Sequence, residues 1–220
     1  RSLGDRHKKR YTYSSPVPAR FAQSQGEPKL NTTAEIVSDE NESLILVDQQ
    51  DNATGYLSKS ACHDGEGQRH RAFSIFIFNN EGAVLLQQRA AGKRLWPNFW
   101  SNSCCSHPRR NESMTQAVQR RCEQELGFST PLEFLYQFEY REPYKDIGTE
   151  HELCSVFAGT YEGSPIVNSN EIKSWRWVSP ESVNSELKKQ PHTFTPWFKL
   201  EWHRLLQDFS EVLLKAGTRT

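Results

Sequence analysis

Three histidines, two glutamates and one cysteine are the residues most ready for chemistry. His63 and His70 stand seven apart in "HDGEGQRH". His107 stands in the stretch "SNSCCSHP", two places after Cys105. Glu150 and Glu152 sit two apart in "EHE", in a run that reads as a strand, so they share a face. The same period of two puts Cys105 and His107 on one side of an extended chain and Cys104 on the other. Adjacent cysteines also make a strained disulfide with one another, so Cys105 is the sulfur to follow. Three imidazoles and two carboxylates form a mixed nitrogen and oxygen donor set. Such a set suits a borderline or hard divalent ion: Zn²⁺, Mn²⁺ or Mg²⁺. Lys59, Arg89, Lys93 and Arg121 are placed to clamp an anionic group, arginine through paired contacts and lysine as a point charge. Taken singly, each of these residues also reads as ordinary polar surface.

The elements that must hold them follow from periodicity. "LILVD", "DNATG" and "YLSKSA" read as strand, turn and return. "AFSIFIFNNEGAVLLQQRA" reads as a hairpin around "NNEG". "SMTQAVQRRCEQELG" predicts a helix, with a capping box from Ser113 and Gln116 and a stop at Gly127. Its apolar stripe is Met114, Val118, Cys122 and Leu126. "EFLYQFEYR", "EHELCSVFAGTY" and "EIKSWRWVS" predict three more strands, and "PESVNSELKKQ" a short helix. A long last helix starts at Thr195–Pro196 and runs through "LLKA". Strands with interspersed helices predict a mixed α/β (α+β) single domain.

The stretch "RRCEQELGF" resembles the end of the Nudix box. Glu112, Arg120, Cys122, Glu125, Gly127 and Phe128 fall in its register. Ser106 stands where the box has its leading glycine, and Arg121 and Gln124 stand where it has glutamates. Nudix hydrolases use those carboxylates to hold divalent cations and activate water at a diphosphate. Their loss leaves a helix suited to meeting a diphosphate and poorly equipped to cut one. Arg121 and Glu125 also read as an i, i+4 pair on an ordinary surface helix, in the less favourable order.

In order along the chain, "HRAFSIFIFN", "LLQQRA", "NSCCSHP", "RRCEQELG", "GTEHELCSVF" and "FTPWF" resemble the type 1 isopentenyl-diphosphate Δ-isomerases, a Nudix-fold family. The likeness runs from about Leu44 to Phe198. It implies a Nudix-type mixed sheet sandwiched by helices. It also implies isomerisation of isopentenyl diphosphate to dimethylallyl diphosphate through a tertiary carbocation. Carried over residue by residue, the resemblance makes Cys105 and Glu152 catalytic and Tyr140 and Trp197 active-site aromatics. The metal ligands fall on His63, His70, His107, Glu150 and Glu152. Glu125 falls where a second ion, Mg²⁺, bridges to the substrate diphosphate, and Lys59, Arg89, Lys93 and Arg121 on diphosphate contacts. Proton delivery is open between Glu152 and Tyr140, and Trp197 offers a π face to the cation.

Lys+Arg and Asp+Glu both number 27, a balance that argues against bulk attraction to nucleic acid or membrane. The resemblance implies a small prenyl diphosphate as the partner, with the chain a monomer or homodimer. Five unevenly spaced cysteines fit a reducing compartment, hence the cytoplasm. Residues 1–30 are basic and Ser/Pro-rich and read as a disordered leader, with an organellar address if they are a targeting remnant. Residues 31–215 are then the domain and 216–220 a tail. Two other functions compete with isomerisation. A hydrolase would release cleaved phosphate; a non-catalytic module would bind diphosphate without turnover.

Overall fold

The computed structural model describes residues 32–211. The expected leader, the tail and both domain boundaries lie outside them. The elements run β1 (Thr32–Thr33), β2 (Ser43–Val47), β3 (Ala53–Ser58), α1 (Lys59–His63), β4 (His70–Phe78), β5 (Val84–Arg89), β6 (Trp100–Ser101), β7 (Cys104–Ser106) and α2 (Met114–Leu126). They continue with β8 (Leu132–Tyr144), β9 (Gly148–Thr160), β10 (Val167–Asn168), β11 (Ile172–Val178), α3 (Pro180–Lys189), a 3₁₀ turn (Pro191–Thr193) and α4 (Pro196–Asp208). The last helix breaks at Phe209, Ser210 and Glu211 are helical again, and the rest of its expected length lies beyond the described residues.

Strand β4 is apolar on both faces because both are covered. Ala72, Phe76 and Phe78 join the cluster under α3 and α4 with Trp197, Phe198 and Trp202. Phe73, Ile75 and Ile77 join the cluster under α2 with Val118, Cys122 and Leu126. The sheet is mixed: β4 runs parallel to β9 over its whole length, and β9 pairs antiparallel with β8. The capping box forms on α2, which ends at Gly127 in a left-handed turn (φ 76°). A Cβ at Gly127 would stand 2.6 Å from the Ile166 carbonyl, so this turn needs glycine.

The expected hairpin is only a turn. Strands β4 and β5 share a single pair, Phe78 with Val84, and then part. Strand β7 takes the vacated edge of β4, opposite Phe73–Ile75, while β5 pairs with β6 and β11. Polar side chains hold the split open. The Ile77 N–H donates to Ser103 Oγ (2.8 Å), and Ser103 Oγ donates to the Leu85 carbonyl (2.7 Å). Asn102 Nδ2 donates to the carbonyls of Ile75 and Cys104 (3.2 and 2.9 Å). This wedge brings the "NSCCSHP" segment into the sheet.

Candidate active site

The alternation expected for the cysteine pair is observed. Cys104 is buried in the α2 cluster, whereas Cys105 packs against the opposite one. Three strands then set a row of side chains on the Cys105 face. Tyr140 of β8 lies opposite Glu152 of β9, which lies opposite His70 of β4. The Tyr140 hydroxyl donates to Glu152 Oε2 at 2.6 Å. Glu152 Oε1 is 3.1 Å from His107 Nε2 and 3.6 Å from His70 Nε2, and the two histidine nitrogens are 3.2 Å apart. His63 reaches the same point from the end of α1, with its Nε2 2.8 Å from Glu150 Oε2.

The geometry fits a metal ion. His63 Nδ1 and His70 Nδ1 lie 2.7 Å from the carbonyls of Lys59 and Gln68. Those bonds hold the protons on Nδ1 and leave the Nε2 lone pairs facing inward, the orientation second-shell carbonyls impose on ligating histidines. Ligand atoms of His63, His70, His107 and Glu152 all fall within 4.8 Å of one another. His63 Nε2 and Glu150 Oε2 are buried without an aligned hydrogen-bond partner, so Glu150, which stands outside that group of four, adds one further lone pair beside it. Burial, opposed by Glu152 and reinforced by the neighbouring His70, holds His107 down to about 4 and hence neutral, as a ligand must be. Despite burial, the adjoining His107 and His70 rings keep Glu152 well below the usual carboxylate range.

Cys105 donates from Sγ to Asn102 Oδ1 at 2.9 Å and lies 3.5 Å from Ser74 Oγ. Burial, followed by the charge of Glu201, pushes its thiol up to about 12. Trp197 is oriented by its indole N–H, which donates to Ser101 Oγ (3.0 Å). Cys105, His107, Tyr140, Glu150, Glu152 and Trp197 line one inner chamber of about 50 Å³. It continues into an outer chamber of about 350 Å³ through Ser38, Lys59, His63, Arg89 and Lys93.

The four expected cations all line the inner chamber. Lys59 Nζ donates to Ser38 Oγ (2.9 Å) and pairs with Glu40 (3.2 Å). Lys93 pairs with Glu171. Arg89 donates to the carbonyls of Trp96 and Leu95 (3.1 and 2.9 Å) and stacks 5.3 Å over Trp197. Arg121 and Glu125 are each 1% exposed, so this is no surface pair. Glu125 Oε1 accepts from Arg121 Nε and Nη2 (2.9 and 2.5 Å), and Arg121 Nη1 donates to the Val37 carbonyl (2.5 Å). Glu125 is thereby committed to Arg121 and does not join the clustered donor atoms.

Sequence reasoning passed over Ser74, Asn102, Glu171 and Glu201. Three had a signal: Ser74 as a lone polar residue in "AFSIFIF", Asn102 as the asparagine before the cysteines, and Glu201 as an acid in the apolar helical run "FKLEWHRLL"; Glu171, in "NSNEIKSW", had none.

A family model for the NUDIX domain matches residues 68–198. Two solved structures share the fold: DR0079 from Deinococcus radiodurans, with a TM-score of 0.57 at 23% identity over 68% of this chain and 90% of that one; and a MutT protein from Methanosarcina mazei Go1, with a TM-score of 0.53 at 20% identity over 64% and 94%. Fold and domain together therefore define the Nudix class. Curated relatives narrow the choice. Isopentenyl-diphosphate Delta-isomerase 1 of Photorhabdus laumondii is 44% identical over 78% of this chain and 99% of its own length. Isopentenyl-diphosphate Delta-isomerase of Serratia proteamaculans is 43% identical over 72% and 88%. The chain belongs to the isopentenyl-diphosphate Delta-isomerase family of Nudix-fold enzymes.

Proposed function

We propose that this enzyme isomerises isopentenyl diphosphate to dimethylallyl diphosphate, a step of isoprenoid biosynthesis. The observation that carries the reading is one small chamber lined by a thiol, a phenol–carboxylate pair, an indole and four cations. The reaction gives a proton to the terminal alkene carbon, which leaves a tertiary cation at the substituted alkene carbon, and takes a proton from the methylene on the cation's other side, so that the double bond moves inward. The Cys105 sulfur and the Tyr140–Glu152 pair are the two exchanging groups. The Trp197 face stabilises the tertiary cation between them by about 2 kcal/mol when desolvated. Aromatic walls keep out the water that would quench it.

Lys59, Arg89, Lys93 and Arg121 hold the diphosphate, which leaves the hydrocarbon end pointing into the inner chamber. His63, His70, His107, Glu150 and Glu152 hold a divalent ion, Zn²⁺, Mn²⁺ or Mg²⁺, which supplies positive charge beside the Glu152 carboxylate when bound. A Mg²⁺ bound with the diphosphate would offset its charge. Glu125 serves as its ligand only if Arg121 first lets it go.

The test is isopentenyl diphosphate with Mg²⁺ in D₂O, followed by NMR. Deuterium-bearing dimethylallyl diphosphate, lost with Cys105→Ala, is the expected result. Bound but unchanged substrate under each of the three metals, or release of inorganic phosphate, overturns it.

A further inference from the structure

Trp96 is a bulky, buried residue in the left-handed backbone region, at φ 45° and 5% exposed. Residues other than glycine seldom take that conformation, and large ones least of all. Pro97 follows it, and a proline pushes the residue before it toward extended backbone. Asn98, just past the proline, is left-handed as well (φ 65°). Strain of this kind persists only where the surroundings over-determine it, and it gathers at functional sites.

Here the surroundings are Arg89. Its side chain donates to the carbonyls of Trp96 and Leu95 (3.1 and 2.9 Å). Its backbone N–H donates to the Phe99 carbonyl (2.9 Å), and its own carbonyl accepts from the Asn98 N–H (3.1 Å). The loop 95–99 is thus folded around one arginine. What the strained backbone delivers is the Trp96 ring. It lies 4.8 Å from the Tyr144 ring and 5.2 Å from the Trp197 ring, the second contact edge-to-face at 86°. That is an arrangement aromatic quadrupoles favour.

Trp96 lines neither chamber, whereas Trp197 lines the inner one. Any effect of Trp96 on the reaction therefore passes through Trp197. The bond from the Trp197 N–H to Ser101 Oγ (3.0 Å) pins one edge of that indole and leaves rotation about the bond open. Among the described residues Trp96 is the nearest ring to it, ahead of Tyr140 at 6.1 Å. A π system attracts a cation that lies over its face, so the plane of Trp197 decides what it contributes.

We propose that Trp96 is a positioning residue for the isomerisation, its strained backbone setting the indole edge-on against Trp197 so that the Trp197 ring is held facing the tertiary cation. The inference rests on the isomerase reading above.

The experiment compares Trp96→Phe, Trp96→Leu and the Trp96→Leu/Trp197→Leu double variant in the isopentenyl diphosphate assay. Phenylalanine keeps a ring edge, so Trp96→Phe retains kcat within about threefold. Leucine fills apolar space without one, so Trp96→Leu loses about tenfold in kcat at unchanged KM. A diphosphate carrying a tertiary ammonium where the cation forms binds Trp96→Leu about tenfold more weakly, matching the loss in kcat. The double variant is no slower than Trp197→Leu alone, because Trp96 acts only through that ring. Circular dichroism reads the contact directly: the tryptophan–tryptophan exciton couplet of the wild type disappears in Trp96→Phe. Trp96→Leu at wild-type kcat, equal losses in Trp96→Leu and Trp96→Phe, losses that multiply in the double variant, or a couplet indifferent to Trp96→Phe overturn the inference. If Trp96→Leu does not fold, Trp96→Gly, which is at ease at this φ, takes its place with the same expected loss, and wild-type kcat there overturns the inference equally. An inactive wild type overturns the isomerase reading itself; an active wild type indifferent to the loss of the ring overturns only this one.

Discussion

Replacing Arg121 with methionine tests the ion-pair network behind the chamber. The variant keeps the length of the side chain and deletes its charge. It removes two hydrogen bonds to Glu125 and one to the Val37 carbonyl, and the 3.5 Å approach to Glu171. Glu171 keeps Lys93, but Glu125 is left as a 1% exposed carboxylate without a cation. Removing one partner of such a buried pair costs about 3–5 kcal/mol, more than the pair is worth against an apolar substitute, because the other charge remains. For a domain of this size each kcal/mol lowers Tm by roughly 2–4 °C, so the melt should fall by about 6–20 °C. Adding Glu125→Gln removes the stranded charge and should return at least half of the loss. Calorimetry on wild type, both single variants and the double closes the cycle. An Arg121→Met melt within 2 °C of wild type would refute the reasoning, as would a double variant whose losses simply add.

Tyr140→Phe removes the 2.6 Å bond to Glu152 while keeping the ring, and should lower kcat by roughly 10–100-fold at unchanged Tm; an unchanged kcat takes the phenol out of the chemistry. Gly148→Ala places a Cβ 2.4 Å from the His63 carbonyl, so the ligand-bearing end of α1 must move, costing about 1–3 kcal/mol and weakening metal binding in a Zn²⁺ or Mn²⁺ titration; unaltered metal affinity refutes this. A chelator should lower the Tm of metal-loaded protein by about 5–10 °C, since an ion at a hundred times its Kd contributes about 2.7 kcal/mol; a melt unmoved by chelation speaks against a held ion. Burial lifts Glu201 from 4.5 to about 8, so the folded state binds the extra proton and stability declines as pH rises between those values. Glu201→Gln should therefore gain on wild type in melts at pH 8.5 relative to pH 5.5, and an equal difference at both pH values would refute the assignment. Arg89→Met should raise KM about tenfold or more with a smaller change in kcat, read from initial rates; an unchanged KM removes Arg89 from the diphosphate contacts.

What the sequence made legible was what local periodicity controls. Cys105 turns away from Cys104 because a strand alternates, and Glu150 and Glu152 share a face for the same reason. The capping box and glycine stop of α2 were readable because both partners lie within one turn of the helix end. The meeting of His70 with Glu152 was not readable from pattern, because it depends on a parallel pairing between strands far apart in the chain. The expected hairpin failed where Ser103 and Asn102 satisfied backbone groups that β5 would otherwise have paired. Arg121 and Glu125 show a further limit. An i, i+4 pair has the same spacing on a surface or in a core, and only the packing of Val37 and Glu171 around it decides which.

The charges around the chamber explain how one site holds four cations without an anion. Lys59 is balanced by Glu40, Lys93 by Glu171, and Arg121 by Glu125 with help from Glu171. Arg89 differs: its bonds go to two carbonyls and its plane lies on Trp197, all uncharged. A diphosphate arriving there meets one guanidinium whose charge no carboxylate has yet offset, and three cations that must share or release a partner. Releasing Glu40, half-exposed, costs little; releasing the buried Glu125 or Glu171 costs several kcal/mol. Arg89 and Lys59 should therefore carry most of the binding, with Lys93 and Arg121 acting as a fixed positive wall. The arginine at position 121 thus does two things that a glutamate there could not. On the proposed reading it removes a negative charge from the approach of the diphosphate, and it ties up the Glu125 carboxylate in two hydrogen bonds.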